Sequence, residues 1–339
     1  MKVPLPPRIA RRAVLAPSMV VAAVLMVSST PLWVVAAAFA SRYAPGRWRP
    51  LRIAWFFLLY LLIESVVLVV LAAVWVASGF GRHLDRPRFR DANYAVMAWF
   101  LRRMVVAAER TFHVRIVQPD GPAGVDVDRP LIVMSRHAGP GDSLLLVDAV
   151  MNRLGRRPRV VLKDLIQLEP AADVLLNRVP SVFIRRGGRD RHDPVGEIRE
   201  MAASMGPGDA FVIFPEGGNF TEHRRRRIID KLRHLGRHDL ARRAHDLEHV
   251  LLPRTAGVLA ALDGSPGADL LIVGHTGLEE LNSVADVWRG LPMDGVVTAR
   301  TWRIDNGDLP PPEAREQWLH DRWQEMDEWI SGLRAAEGP

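Results

Sequence analysis

The sequence contains no cysteine and almost no lysine. Without cysteine the chain has no disulfide, no thiolate metal ligand and no cysteine nucleophile. Lysine occurs only at positions 2, 163 and 231, so arginine supplies nearly all of the positive charge. A GC-rich genome produces the same bias, and a single arginine is therefore weak evidence for a functional site.

Several sequence motifs are also absent. The chain has neither G-x-x-x-x-G-K-[ST] nor G-x-G-x-x-G, so nucleotide-binding folds have no support, and it lacks the G-x-S-x-G elbow of serine hydrolases. The formal charge of +7 and the pI of about 10.5 favour anionic partners such as lipid headgroups and phosphates. Nucleic acid is not an expected partner, because the most basic segment, 223–249, has no interleaved aromatic residues.

Two long apolar segments occupy the N-terminal quarter of the chain. Ala13 to Ala40 is 28 residues without a charged side chain, and Ile53 to Gly81 contains one, Glu64. A helix needs about 20 apolar residues to cross the hydrocarbon of a bilayer. The segments therefore predict a membrane anchor of two helices, with Pro17 and Pro31 as kinks or ends in the first. A signal peptide has a shorter apolar core of about 7–15 residues.

A hairpin of two spans leaves the N-terminus and the following domain on the same side of the membrane. Arginines flank both ends of the first segment, so the positive-inside rule does not decide the orientation. We place the domain on the cytoplasmic side of the inner or plasma membrane, with a shallow hairpin that does not cross as the alternative. A carboxylate is costly at mid-membrane, so Glu64 is expected to make a polar contact within the hairpin rather than to serve as a proton site.

The rest of the chain alternates between strand-like and helix-like segments. Apolar runs predict strands at Phe112–Val117, Leu131–Met134, Val160–Leu162, Val182–Ile184, Phe211–Phe214, Leu270–Val273 and Val296–Ala299. Stretches with helical spacing lie between many of them, which predicts an α/β domain with a mainly parallel sheet flanked by helices.

Five regions are expected along the chain. They are a basic tail (1–12), the membrane anchor (13–81), a linker with an amphipathic helix (82–111), the α/β domain (112–309) and a C-terminal amphipathic helix (310–339). The helix at about 91–110 is suited to the membrane interface or, equally, to packing against the core. The tryptophan-rich stripe of the last helix is typical of packing.

Three polar sequences follow predicted strands directly. They read IVMSRHAGPGD, VFIRRGG and FVIFPEGGNF. In an open parallel sheet, ligands bind beyond the carboxyl ends of the strands. We therefore expect the three sequences to converge on one site.

His137 and Asp142 are the candidate catalytic pair. A turn of small residues between them allows the carboxylate to fold back against the imidazole. An aspartate that accepts from one ring nitrogen fixes the tautomer and leaves the other nitrogen free to take a proton. No protein nucleophile is evident, so a substrate hydroxyl is expected to attack an activated acyl group. Asp142 also stands where a helix should begin, so a helix N-cap is the structural alternative.

The order of four motifs resembles the glycerolipid acyltransferases, a family that includes 1-acylglycerol-3-phosphate acyltransferase. H-x-x-x-x-D at 137–142 is similar to their first motif, VFIRR at 182–186 to the second, FPEG at 214–217 to the third and LLP at 251–253 to the fourth. The matched block covers about Leu131 to Pro253. The resemblance favours the catalytic interpretation of His137 and Asp142, although one aspartate can serve both roles.

The resemblance implies roles for further residues. Arg186, together with Arg185, would hold the phosphate of the acceptor, for which a guanidinium offers a planar fork of donors. Glu216 and Gly217 would shape the acceptor site, and Pro253 would support the acyl-donor side. Acyl-CoA or acyl carrier protein would donate the acyl group and a lysophospholipid would accept it. No metal or redox cofactor is expected.

The third motif departs from the family pattern. It usually continues with threonine and arginine, whereas this chain has Gly218 and Asn219. FPEGG together with LPRTAG is similar to lysophosphatidylglycerol acyltransferases, while NFTE at 219–222 is similar to the lysophosphatidic acid branch. The expected acceptor is therefore 1-acylglycerol-3-phosphate, with a lysophospholipid of larger headgroup as the alternative.

The sequence leaves two other features and two other functions open. The basic segment 223–249 is either a solvated helical insert or a contact for anionic lipid or coenzyme A. The i,i+4 pairs His234/His238 and His245/His249 lack a third ligand, which disfavours a metal site. A catalytically silent lipid-binding scaffold and a lipid hydrolase are the rival functions.

Overall fold

The computed structural model describes residues 5–44, 46, 48–117, 128–139, 141–184, 193–279, 284–291 and 293–337. The chain forms two compact units, both discontinuous in sequence. Unit one comprises Met1–Arg115, Val147–His192 and Trp288–Gly295, and unit two comprises Ile116–Leu146, Asp193–Val287 and Val296–Pro339. The five regions expected from the sequence remain a prediction.

An all-helical N-terminus precedes alternating strands and helices. The helices are α1 (Arg8–Ser28), α2 (Thr30–Ser41), α3 (Arg49–Ala77), α4 (Pro87–Phe112), α5 (Asp142–Asn152), α6 (Pro170–Leu176), α7 (Pro194–Ala203), α8 (Glu222–His234), α9 (His238–Asp246), α10 (Thr255–Gly264), α11 (Val284–Gly290) and α12 (Arg315–Glu337). The strands are β1 (Arg115–Val117), β2 (Leu131–Ser135), β3 (Arg157–Lys163), β4 (Ser181–Ile184), β5 (Asp209–Ile213), β6 (Asp269–Thr276) and β7 (Val296–Ile304). Each described strand falls on an apolar run that predicted it, except that Phe112 ends α4 instead of starting β1.

The first apolar segment is broken into two helices. Ser29 separates α1 from α2, and Pro31 lies in the first turn of α2, where the missing N–H of proline costs nothing. Pro17 lies inside α1. Among the described helices, α1 and α3 are long and apolar enough to cross a membrane. These two helices fit the predicted hairpin.

Glu64 contacts a helix outside the hairpin. Its side chain is fully buried in unit one, and its Oε1 accepts a hydrogen bond from the backbone N–H of Ala171 at 2.7 Å. Ala171 lies in the first turn of α6, where backbone N–H groups lack partners within the helix. The expectation of a contact within the hairpin is therefore wrong. The true partner lies 107 residues away in sequence, so no local pattern indicates it.

Helix α4 buries the face that its spacing predicted. Tyr94, Met97, Leu101 and Met104 are buried in unit one, where α4 packs against α3. Because α3 is itself a candidate membrane helix, this packing does not decide between the core and the membrane interface, and the interfacial helix stays a prediction. In the same unit, β3 and β4 form a parallel pair.

Unit two contains the strands that carry the first and third motifs. Its strands lie in the order β7-β6-β2-β5, with β2 parallel to both β5 and β6 and β7 antiparallel to β6. All residues of β2, β5 and β6 are buried, as in central strands that are covered on both faces. Because β2 and β5 are parallel neighbours, the loops that follow them leave the same edge of the sheet.

Helix α12 of unit two confirms a further expectation. Leu319, Trp323, Met326 and Ile330 of α12 are fully buried, so the apolar stripe of that helix is packing. The basic segment 223–249 forms α8 and α9, which pack against each other.

Candidate active site

Three of the four motifs meet in unit two through backbone hydrogen bonds. The N–H of Phe220, after the third motif, donates to the carbonyl oxygen of His137 at 2.7 Å. The N–H of Arg254, after the fourth motif, donates to the carbonyl oxygen of Pro215 at 2.9 Å. The loop after β5 therefore lies between the other two loops and is hydrogen-bonded to both.

His137 and Asp142 form a hydrogen-bonded pair. Nδ1 of His137 lies 2.7 Å from Oδ2 of Asp142, and the same oxygen accepts from the backbone N–H groups of Ala138 at 2.8 Å and Gly139 at 3.2 Å. Asp142 is itself the first residue of α5, and these donors precede the helix. Its carboxylate therefore fixes the loop and the imidazole, which is a different arrangement from an N-cap that accepts from the first helical turn.

The environment of Asp142 keeps its carboxylate ionised. Burial raises its pKa, but the hydrogen bond from His137 and the charge of that ring outweigh burial, so the pKa lies below its usual value. A carboxylate at Nδ1 favours the tautomer with the proton on Nδ1 and stabilises the imidazolium that forms when Nε2 takes a proton. The pair has the geometry of a general base and its orienting group.

The His137 ring contacts an aromatic side chain and is partly exposed. Its centroid lies 4.9 Å from that of Phe214, at the end of β5, and the side chain is 16% exposed. In the described part of the chain Nε2 makes no hydrogen bond. That nitrogen is therefore available to a ligand.

Glu216 ties the first motif to the fourth. Its side chain is buried, and Oε1 accepts from the N–H of His137 at 3.2 Å while Oε2 accepts from the N–H of Leu251 at 3.0 Å. Burial raises the pKa of Glu216 to about 7, although the Arg136 guanidinium and the two N–H groups favour its ionised form. In this structure Glu216 binds backbone groups and so sets the position of His137.

The glycines of the third motif make room for two arginines. Gly217 has a φ of 68°, which favours glycine, and a Cβ there would meet the Arg254 guanidinium at 3.0 Å. A Cβ at Gly218 would meet the Arg224 guanidinium at 2.5 Å. Pro253 is buried beside Arg254. Arg254 and His137 lie on loops that are each hydrogen-bonded to the loop after β5, and Arg224 lies in the first turn of α8. Arg185 and Arg186 lie outside the described residues.

Arg136 supports the site, and sequence reasoning missed it. Its side chain is wholly buried, with donated hydrogen bonds to Glu279 Oε1 at 2.8 Å, to the carbonyl of His275 at 2.6 Å and to that of His249 at 2.8 Å. Arg136 directly precedes the candidate base His137 in the sequence. That position is the one sequence feature from which its role could have been predicted.

His275 is a second residue that the sequence did not indicate. It lies on β6, next to β2, and its Nε2 is 3.9 Å from Oδ2 of Asp142. Burial, and then the charge of Arg136, lowers the pKa of His275 to about 4, so the ring is neutral at neutral pH. Neither ring nitrogen has a hydrogen-bond partner within the residues that the structure describes.

Metal ligation finds no support in the described ranges. No group of three or more histidine and carboxylate side chains there is arranged to hold a metal ion. His234 instead places Nδ1 2.7 Å from the carbonyl oxygen of Asp230.

Residues 99–260 match the family model described as acyltransferase. This segment, just under half of the chain, is similar to the acyltransferase family. The chain also matches the crystal structure of the 1-acyl-sn-glycerophosphate (LPA) acyltransferase PlsC from Thermotoga maritima, with a TM-score of 0.52 and 18% identity over 83% of this chain and 98% of that one. At 18% identity, this match shows a similar fold and nothing more. No curated protein matches the chain.

Both findings agree with what the four motifs indicated. The predicted resemblance to the glycerolipid acyltransferases and the α/β fold with a mainly parallel sheet are confirmed. The chain is an enzyme of the acyltransferase class.

Proposed function

We propose that this acyltransferase moves a fatty acyl group from acyl-CoA to the free hydroxyl of 1-acyl-sn-glycerol-3-phosphate, which yields phosphatidic acid. The observation that carries the proposal is the His137–Asp142 pair, with Nδ1 engaged at 2.7 Å and Nε2 open to a ligand. No serine elbow or cysteine accompanies the pair. The acceptor hydroxyl is therefore the nucleophile.

The reaction is a single displacement at the thioester carbonyl. Nε2 of His137 takes the proton of the acceptor hydroxyl as its oxygen bonds to the carbonyl carbon. The carbon–sulfur bond then breaks, and the thiolate leaves and recovers that proton from His137. Asp142 stabilises the imidazolium between the two steps. A thiolate leaves readily, so one base and a stabiliser of the oxyanion suffice, and the donor acts as a co-substrate with no cofactor required.

The residues around the pair are assigned from the family resemblance and from the geometry together. Arg185 and Arg186 bind the acceptor phosphate, as the second motif implies. Gly217 and Gly218 shape the acceptor site by leaving room for the Arg254 and Arg224 guanidinium groups, and Pro253 supports the acyl donor. Glu216 contributes by holding the N–H of His137, because its oxygens are already occupied by backbone donors.

The acceptor headgroup has one serious alternative. The solved structure that the fold matches acts, by its title, on 1-acyl-sn-glycerophosphate. Asn219, however, stands in the third motif near the place where the family has an arginine, and its carbonyl oxygen accepts from Arg224 Nη1 at 2.7 Å. Arg224 can supply the missing guanidinium, which supports the smaller acceptor. Lysophosphatidylglycerol is the alternative acceptor.

The N-terminal helices support attachment to a membrane. Polar contacts occur along α3: Arg52 donates to the carbonyl of Thr111, Tyr60 to Glu169, and Arg178 to the carbonyl of Leu71. Such contacts suit a helix that lies against protein along much of its length better than one immersed in lipid on all sides. We place the helices in one leaflet of the inner or plasma membrane, with the catalytic unit on the cytoplasmic side.

An acceptor competition tests the assignment. Purified full-length protein in detergent would receive labelled acyl-CoA with lysophosphatidic acid and lysophosphatidylglycerol, separately and mixed. The proposal expects a higher kcat/KM for lysophosphatidic acid. Preference for lysophosphatidylglycerol would contradict the acceptor, and release of free fatty acid without any acceptor would support the hydrolase. If no acyl group moved from acyl-CoA or acyl carrier protein, the scaffold would be favoured.

A further inference from the structure

An apolar groove runs between α2, α3 and α4 in unit one. It has a volume of about 910 Å³, within the upper part of the range of about 300–1,000 Å³ that ligand pockets occupy. One tryptophan from each helix lines it: Trp33, Trp55 and Trp99. Leu59 and Ile63 of α3 complete the apolar wall. The groove has the size and lining of a site for a hydrocarbon chain.

Arginines form the charged part of the lining. Arg52, Arg103 and Arg110 all border the groove, and no lining side chain is acidic among the residues that the structure describes. Arg103 lies with its guanidinium carbon 5.7 Å from the ring centroid of Trp99, while Arg52 donates to a backbone carbonyl at 2.9 Å. Arg52 and Arg103 are therefore held beside the aromatic wall.

We propose that this groove binds one anionic phospholipid of the host membrane. An acyl chain lies along the three tryptophans, and the lipid phosphate contacts Arg103 and Arg110. The charge of the lining selects the occupant, because a guanidinium donates to phosphate oxygens through a planar fork. A zwitterionic lipid offers the same phosphate but also a cation, which the three arginines disfavour.

The surroundings of the groove favour a lipid over a protein partner. Leu32, Val35 and Phe39 of α2 are all more than 60% exposed, and α1 and α3 are the two candidate membrane helices. Lipid tails are the medium that such side chains contact when these helices enter a membrane. A lipid already present in that medium reaches the groove without crossing water.

Quenching of tryptophan by brominated lipids tests the proposal in detergent solution without any acyl donor. Brominated phosphatidylglycerol should quench part of the fluorescence of the full-length protein saturably, and brominated phosphatidylcholine should do so only at much higher concentration. Trp99→Phe should remove a share of the saturable signal. The double variant Arg103→Gln/Arg110→Gln should weaken phosphatidylglycerol binding about 10- to 30-fold, since both arginines face the phosphate.

Arg102→Gln is the matched control, because Arg102 neighbours Arg103 on α4 and does not line the groove. It should bind phosphatidylglycerol as the wild type does. Equal quenching by both lipids, or quenching that the double variant leaves unchanged, would overturn the proposal. His137→Ala should bind the lipid normally, so failure of this proposal and failure of the proposed reaction can be told apart.

Discussion

Replacing Asp142 by asparagine separates the two things that its carboxylate does. Oδ2 holds the backbone N–H groups of Ala138 and Gly139, and it also carries the charge that faces His137. An asparagine can place its amide oxygen at the same point and accept the same three hydrogen bonds. The substitution therefore keeps the hydrogen bonds that hold the loop and removes the charge. The amide NH2 then replaces Oδ1, which accepts from Ser143 Oγ at 3.2 Å.

The expected loss follows from the hydrogen bond to the imidazolium. A hydrogen bond to a charged group contributes about 1.5–3 kcal/mol, and each 1.4 kcal/mol is about tenfold in rate. We expect kcat to fall about 10- to 150-fold in Asp142→Asn, with the melting temperature within a few degrees of the wild-type value. The assay is transfer of a labelled acyl group under saturating acyl-CoA and lysophosphatidic acid.

Asp142→Ala is the informative companion. It leaves two buried N–H groups without an acceptor, each costing about 1–3 kcal/mol, so it should lower both stability and kcat. Asp148→Asn serves as the control, since Asp148 is a buried carboxylate of the same helix that hydrogen-bonds Asn152. If Asp142→Asn kept wild-type kcat while Asp142→Ala lost stability, Asp142 would be a structural residue and the reasoning would be refuted.

Three further predictions follow from the site and from unit one. Glu216→Gln offers one acceptor for two N–H groups, so kcat should fall at least about tenfold; an unchanged kcat would contradict its positioning role. The pKa of His275 is about 4 against 6.5 in the unfolded chain, so its contribution to stability is present above pH 6.5 and is lost as the pH falls to 4. His275→Asn should therefore flatten the decline of melting temperature over that range, and an unaltered decline would argue against it. Glu64→Ala removes the acceptor of the Ala171 N–H and should lower the melting temperature measurably, whereas Glu64→Gln should recover most of it.

Local patterns in the sequence predicted much of the fold. Strand and helix periodicity depends on neighbouring residues, so the apolar runs located the strands and the stripe from Leu319 to Ile330 located a buried helix face. The pairing of His137 with Asp142 could also be predicted, because the two residues are only five positions apart and a turn of small residues lies between them. The break at Ser29 also had a local signal, because Pro31, which was expected to kink or end a helix, lies in the first turn of α2.

Contacts between residues far apart in the sequence could not be predicted from local sequence patterns. Glu216 accepts from Leu251, 35 residues away, and Arg136 donates to the carbonyl of His275, 139 residues away. Both contacts exist because the fold brings the ends of separate strands and loops together. The supporting roles of Arg136 and His275 therefore became visible only in three dimensions.

The most direct test of the central claim is the rate of acyl transfer by His137→Ala. General-base catalysis contributes typically about 10²- to 10⁴-fold, so the account predicts a loss of that size in kcat with an unchanged melting temperature. His234→Ala, an exposed histidine of α8, should transfer at the wild-type rate. Wild-type kcat in His137→Ala would contradict the account, because no other described group of the site is placed to take the proton of the acceptor.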